Sequence, residues 1–290
     1  MSRFDEPFDE HFDLKVVFAC GNADLQVEAL YRERRSVYRA IAGFGEGYWS
    51  DCQRLYGRLS TPPAIAALPA SRRPAALAAD EAARVAGAHL YGLDEAATRA
   101  AVTLSDDIAR HGPPLAEAGT SRLAPLVMVT PPTLSGFLRF ASGVGYTSFG
   151  VPLMAFHWGP LPEGTWLAWW ADNRVAAQID ARNQGRTQEE VEAFLRVMGP
   201  LTFGESATTL YTGPEVELPE ADLPSPQAIA RGRALYYIAV AAWVLLTDPG
   251  AARLITRQPT PAQAAQDRRA GLKPRPATLA TKPITARWPA

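Results

Sequence analysis

The residues that could do chemistry in this sequence are few, and the first of them is a histidine. His157 lies in the tryptophan-rich stretch 156–173, which reads FHWGPLPEGTWLAWWADN and ends at Asp172 and Asn173. A histidine near a carboxylate can act as a general base. His157 with Asp172 is therefore the candidate catalytic pair. The alternative is a hydrogen-bonded core histidine, with the aspartate in a simple turn.

The same stretch carries four of the seven tryptophans of the chain. Indole rings in such number build surfaces that bind sugars, peptides or stacked bases. The candidate ligand-binding residues are Trp158, Trp166, Trp169, Trp170 and Asn173. Two strands at 151–158 and 165–171 would carry apolar residues on both faces. That pattern favours a core wall covered by helices over an exposed aromatic platform.

A third candidate is the basic segment near the end of the sequence. Residues 251–290 hold eight bases and one acid, Asp267, whereas residues 1–13 hold five acids and one base. The candidate contacts for an anion or nucleic acid are Arg268, Arg269, Lys273 and Arg275. We expect an acidic protein or a nucleic acid to bind residues 257–290. A solvated, partly disordered terminus is the alternative, because the segment is rich in proline.

Other kinds of site have weak signals. Asp107 and His111, four residues apart on one helical face, could hold a metal only with a third ligand, and none lies nearby. We therefore predict no metal site and no cofactor. Cys20 and Cys52 are too few for a disulfide framework, which fits a cytoplasmic protein, although their pairing stays open. The longest apolar run, residues 234–246, is too short to cross a bilayer, so no membrane insertion is expected.

The pattern of elements predicts an α+β fold. About four consecutive strands, at 126–130, 136–142, 151–158 and 165–171, would form a central antiparallel sheet. Helices before and after them in the sequence would cover it. The expected organisation is a mainly helical part at 1–120, the sheet with its covering helices at 121–250, and the basic, proline-rich tail at 251–290.

Local signals place several of the flanking elements. The β-branched run 14–20 predicts a strand. The alanine-rich segment 75–92 predicts a helix, and Asp94 is placed to cap a second one. Thr187, with a glutamate three residues on, has the pattern of a capping box. A long helix over about 226–246, apolar on nearly all sides, should be buried.

A resemblance adds to this interpretation. The segments ASGVGYTSFGVPLMAFHWGP and GTWLAWWADN, a long apolar helix and RRAGLKPRP together resemble a group of uncharacterised proteins from high-GC actinobacteria, often found near mobile-element genes. The resemblance covers residues from about 140 to 276. It implies no catalytic residue. In that group a short β-branched strand with arginines follows the basic segment, and ATLATKPITARWPA departs from it.

These observations support three hypotheses about function. The first is an intracellular binding or accessory protein, since no catalytic motif is evident. The second is a nucleic-acid-binding accessory protein of a mobile element that acts through the basic tail. The third is an enzyme of unknown type that uses His157 with Asp172.

Overall fold

The computed structural model of the chain describes most of its residues. The described ranges are 17–18, 21–50, 52, 61–111, 122–123, 129–162, 164–211, 216–217 and 226–284. Within them a seven-stranded sheet has helices packed on both faces. The sheet positions the histidine, the tryptophans and most of the other candidate residues.

The elements are numbered in chain order. The helices are α1 (Ala23–Gly43), α2 (Pro63–Ala66), α3 (Arg73–Gly87), α4 (Glu95–His111), α5 (Asn173–Gln184), α6 (Gln188–Met198), α7 (Pro226–Thr247) and α8 (Pro261–Arg269). The strands are β1 (His89–Leu93), β2 (Arg122–Leu123), β3 (Gly136–Phe140), β4 (Leu153–Leu161), β5 (Gly164–Asp172), β6 (Leu201–Tyr211), β7 (Val216–Glu217), β8 (Arg253–Arg257) and β9 (Ala277–Thr281).

The large sheet is mixed. Its strand order is β6-β5-β4-β3-β1-β9-β8. Strands β3 to β6 are antiparallel neighbours, β1 lies parallel between β3 and β9, and β8 is antiparallel to β9. The prediction of about four antiparallel strands is therefore wrong, whereas the α+β class is confirmed. Strand β1 was not predicted because its five residues directly follow an alanine-rich helix. Strands β8 and β9 were not predicted because they flank a proline-rich segment.

Three of the four strands expected from the sequence are present as β3, β4 and β5. The fourth, at 126–130, falls mostly outside the described residues, and its last two residues are not in a strand. Of the strand expected at 14–20, the described residues Val17 and Phe18 are helical instead. The sequence thus located the centre of the tryptophan-rich hairpin but not the strands that complete the sheet.

The hairpin of β4 and β5 separates two cores. Phe156, Trp158 and Trp169 face α4 and α7, whereas Trp166 and Trp170 face α1 and α3. The register of β4 shifts between residues 153 and 155, so strict alternation fails at its start. The expectation of apolar residues on both faces is met, because helices pack on both sides of the sheet.

The helices begin and end at the signals in their sequences. The N–H of Ala97 donates to Asp94 Oδ1 at 2.7 Å, so Asp94 caps α4 as expected. Thr187 begins α6 with a capping box. Helix α3 ends at Gly87, short of the predicted helix over 75–92, because the chain enters β1 there. In the described part of the chain, no helix is both long and apolar enough to cross a membrane.

The segments expected as separate parts share one sheet. Strand β1 comes from residues 1–120, and β8 and β9 come from residues 251–290. Between β8 and β9, Thr260 caps α8 in a second capping box. The last of these strands, Ala277–Thr281, pairs with β1 on one side and β8 on the other. Much of the basic segment is therefore part of the folded structure.

Candidate functional site

The histidine of the hairpin lies inside the α1–α3 side of the sheet. His157 is 1% exposed. Its Nδ1 accepts a hydrogen bond of 2.8 Å from the indole N–H of Trp170, and its Nε2 lies 2.6 Å from Glu81 Oε1. An indole N–H can only donate, so Nδ1 is the acceptor in its contact with Trp170, and Nε2 faces the carboxylate of Glu81.

Helix α3 supplies the charged partners of this ring. Glu81 also accepts from the indole of Trp166 at 2.8 Å and from Arg84 at 2.7 Å. Burial alone raises the pKa of the Glu81 carboxyl, but the neighbouring His157 and Arg84 together lower it to about 2. The group is thus an ionised carboxylate held by three donors in the core.

A glycine makes room for this arrangement. A Cβ at Gly159 would lie 2.4 Å from Cδ of Arg84, so any larger residue there would displace the guanidinium. Arg84 Nε also donates to the carbonyl oxygen of Pro160 at 3.2 Å. The single arginine therefore joins α3 to the end of β4 as well as to Glu81. We name the set Glu81, Arg84, His157, Trp166 and Trp170 the histidine cluster.

The histidine cluster has the parts of an acid–base pair without access to a substrate. A general base must have a nitrogen within reach of the proton that it removes. Both ring nitrogens of His157 are already bonded within the core. Asp172, the expected partner, lies four residues along β5 from Ala168, which is opposite His157, and thus about 13 Å away. The structure does not bring these two residues together.

Asp172 has a structural contact of its own. Its Oδ1 accepts from the N–H groups of Arg174 and Val175, so it caps the start of α5. Asn173 donates from Nδ2 to the carbonyl oxygen of Gly199 at 2.7 Å, which ties α5 to the end of α6. Asn173 also lines a shallow groove of about 180 Å³ between α5, α6 and the start of β6.

All four candidate tryptophans are buried. Each indole is at most 1% exposed. Trp158 donates to the carbonyl oxygen of Thr133 at 2.8 Å, and it packs near Trp243 of α7 with the ring centroids 5.7 Å apart. Trp169 packs against Phe156 at 4.8 Å. In this conformation the rings form a core wall and present no aromatic surface to a ligand.

A second buried ion pair lies where β3 ends. Arg139 donates from Nε to Glu33 Oε1 of α1 at 2.8 Å, and from Nη1 to the carbonyl oxygens of Phe140 and Met154. Burial raises the pKa of Glu33, and Arg139 offsets part of that effect. The other carboxylate oxygen of Glu33, Oε2, has no hydrogen-bond partner among the described residues. We name Glu33 and Arg139 the α1–β3 pair.

A third set of charges attaches the basic segment to α1. The single acid of residues 251–290, Asp267, is fully buried and accepts from Arg34 and from Arg35. Arg34 also donates to the carbonyl oxygen of Ala88 at 2.9 Å. The hydroxyl of Tyr31 donates to the carbonyl oxygen of Arg275 at 2.6 Å. These contacts hold α8 and the approach to β9 against α1.

The remaining bases of that segment face outward. Arg268, Arg269 and Lys273 are exposed, whereas Arg275 is partly buried and donates from Nε to the carbonyl oxygen of Gly87 at 3.2 Å. The edge strand β8 adds two more exposed arginines. We name the outward set the C-terminal cations; its members are Arg253, Arg257, Arg268, Arg269, Lys273 and Lys282. With Asp267 buried, the described residues from 253 to 284 expose no acidic side chain.

The possible metal ligands stay isolated. His111 Nδ1 lies 3.0 Å from Asp107 Oδ1 on the exposed surface of α4. Among the residues with described positions, no group of three histidines, cysteines or acids lies close enough to hold a metal ion. Cys52 is buried on the α1 side of the sheet, and Cys20 lies outside the described residues.

Sequence reasoning missed Glu81, Arg84, Glu33 and Arg139. The sequence nevertheless contains a signal for the histidine cluster and another for the α1–β3 pair. Glu81 and Arg84 share a helical face with buried Leu77 and Val85, so the helix carries charge at positions typical of apolar residues. Arg139 stands inside a strand that reads GFLRF. Charges in such positions indicate buried, paired groups.

Comparisons with models of protein families, with curated proteins and with solved structures found no match. The resemblance to actinobacterial proteins, and the association with mobile elements, stay predictions from the quoted residues.

Proposed function

We propose that this chain is a non-catalytic binding protein that recognises an acidic protein partner through the C-terminal cations. The observation that carries the proposal is the burial of Asp267. It removes the only negative charge of residues 253–284 from the surface and leaves the C-terminal cations in solvent. Such a one-sided charge distribution attracts an anionic partner and speeds its association.

The histidine cluster supports the non-catalytic half of the proposal. Its titratable groups are buried and bonded to one another, as expected for groups that stabilise a fold. The buried tryptophans of the hairpin favour a protein partner over a single-stranded nucleic acid. Single-stranded nucleic acids stack their bases on exposed aromatic rings, and the tryptophan rings of the hairpin are buried.

Charge reversal tests the proposal. The probe is fluorescently labelled poly-L-glutamate, and binding is measured by anisotropy with the full chain. The variant Arg268→Glu/Arg269→Glu should weaken binding by about tenfold or more at low salt, because two attractive charges become repulsive. Deletion of the segment is unsuitable, since β9 pairs with β1 inside the sheet.

A matched control removes the effect of net charge. Arg110 and Arg182 are exposed arginines in the last turns of α4 and α5, as Arg268 and Arg269 are in the last turn of α8. The variant Arg110→Glu/Arg182→Glu should retain affinity within about threefold. Equal losses in the two variants would mean that only net charge matters. Tighter binding of labelled oligothymidine than of poly-L-glutamate would assign the cations to nucleic acid instead.

A further inference from the structure

Strand β8 is the outer strand of the sheet beside the C-terminal cations, and its outer edge is open as far as the described residues go. Strand β8 pairs with β9 through all five of its residues. Four of those five residues are exposed, and only Ile255 is partly buried. No other strand within the described ranges pairs with the outer side of β8. An exposed strand edge offers a row of backbone donors and acceptors to another chain.

The hydrogen bonds of β9 show which groups of β8 point outward. The N–H groups of Leu90 and Asp94 in the β1 region donate to the carbonyl oxygens of Pro276 and Ala280. The backbone N–H and C=O groups of alternate residues of β9 therefore point toward β1, and those of residues 277, 279 and 281 point toward β8. Their partners are Arg257, Ile255 and Arg253. The backbone N–H and C=O groups of Leu254 and Thr256 consequently point away from the sheet.

The side chains of β8 are arranged for an acidic strand. Arg253, Ile255 and Arg257 share one face, toward α1, where Ile255 packs on the core and Arg257 lies 3.3 Å from the exposed Asp24. A second copy of the chain paired antiparallel about Ile255 would set Arg253 opposite Arg257 twice. Like charges directly opposite each other destabilise a strand pair. Carboxylates on an incoming strand would instead face both arginines.

We propose that β8 binds an extended acidic segment of a partner protein by strand addition. The segment carries Asp or Glu at two positions four residues apart, facing Arg253 and Arg257, with an apolar residue midway that faces Ile255. Backbone bonds to Leu254 and Thr256 supply affinity, and the two arginines select for acid at the two positions that face them. The inference rests on the proposed function, since it names how the acidic partner is held.

A proline at the outward-facing position tests the backbone contact. The variant Thr256→Pro removes an N–H that points away from β9, so pairing with β9 is kept, and edge strands tolerate proline. The control Thr256→Ala loses the same hydroxyl contact with Thr278 but keeps the N–H. The probe is a short labelled peptide with the central sequence Glu-Val-Val-Thr-Glu. Thr256→Pro should weaken its binding by about tenfold, and Thr256→Ala by less than about threefold.

A second pair of variants guards against a folding defect. Leu254→Pro and Leu254→Ala repeat the comparison at the other outward-facing residue, and circular dichroism checks that each variant is folded. Equal affinities of the proline and alanine variants at both positions would overturn strand addition. If Arg268→Glu/Arg269→Glu still lost binding to poly-L-glutamate, the proposed function would stand without it. A concentration-dependent dimer that Thr256→Pro abolishes would assign the edge to a second copy and overturn the inference.

Discussion

On the α4–α7 side of the sheet the contacts are almost wholly aromatic and aliphatic, whereas the α1–α3 side also contains three sets of buried charges. Phe156, Trp158, Trp169 and Trp243 pack together on the first side with ring centroids 4.8 to 6.2 Å apart. On the second side the histidine cluster and the α1–β3 pair link helices to strands, and Asp267 with its two arginines links α8 to α1. One sheet therefore has two cores of different chemistry.

The difference teaches how the helices are positioned. Burial of apolar surface stabilises without preferred direction, so α7 could shift slightly and keep most of its packing energy. A buried charge that loses its partner costs several kcal/mol, so α1 and α3 cannot shift in the same way. We infer that the α1–α3 side fixes the geometry of the molecule, including the attachment of α8 and the C-terminal cations.

The largest effect is expected from separating the α1–β3 pair. Arg139→Met leaves the buried carboxyl of Glu33 without its partner, and the free energy of unfolding should fall by about 3–5 kcal/mol. Urea denaturation at neutral pH measures it. In the double variant Glu33→Met/Arg139→Met the loss should be smaller than the sum of the two single losses by at least about 1 kcal/mol. Strict additivity would show that the two side chains do not depend on each other.

Lowering the pH should reduce the stability of the same side of the sheet, because it protonates Glu81. Its pKa of about 2 in the folded protein lies below its ordinary value of 4.5. A lowered pKa of an acid stabilises the fold above the ordinary value, and that contribution is lost as the pH falls toward 2. The full loss below pH 2 should be on the order of 3 kcal/mol, and about 2 kcal/mol of it should appear between pH 7 and pH 3. Urea unfolding from pH 7 down to pH 3 should show Glu81→Gln as less acid-sensitive than the parent.

Glu33 provides the control for that experiment, because its shift has the opposite sign. Burial raises the pKa of Glu33, so its contribution favours the fold below its ordinary value and is lost as the pH rises. Glu33→Gln should therefore make stability fall more steeply toward acid. The same change in slope for both variants would contradict the assignment of opposite shifts.

The smallest effect on stability is expected from removing the indole hydrogen bond of Trp170, and Trp169, its neighbour on the opposite face of the sheet, provides the comparison. Trp170 donates from its indole to His157, whereas the indole N–H of Trp169 has no partner among the described residues. Phenylalanine at either position removes a similar volume, but only Trp170→Phe leaves a buried acceptor unsatisfied. It should cost about 1–2 kcal/mol more than Trp169→Phe by thermal or urea denaturation. Equal costs would show that the hydrogen bond to His157 contributes no net stability.

The sequence predicted the local parts of this fold better than its long-range pairing. The hairpin of β4 and β5 and the caps at Asp94 and Thr187 follow from residues close in the chain. Strand β1 could not be found in this way. Its partners are β3 and β9, and a five-residue strand buried on both sides has no polar alternation to mark it.

The candidate site shows the same limit. His157 and the tryptophans were recognised because aromatic residues cluster in one stretch, but the partner of the histidine, Glu81, lies in a helix more than seventy residues earlier. Only the fold brings the two together. Asp172 was selected because it is near His157 in sequence, and the strand geometry keeps it apart from that ring. Buried charges inside apolar patterns, such as Arg139, are the better guide to such contacts.

The position of β1 also has a consequence for biosynthesis. Leu90 pairs with Phe137 on one side and with Ala277 on the other. During translation, β1 therefore cannot pair with β9 until the nearly two hundred residues between them have been made. Until β9 emerges from the ribosome, β1 presents an apolar edge to solvent and to other nascent chains. We expect the folding of this protein in cells to depend more on chaperones than the folding of a protein of equal length whose strands pair only with neighbours in sequence.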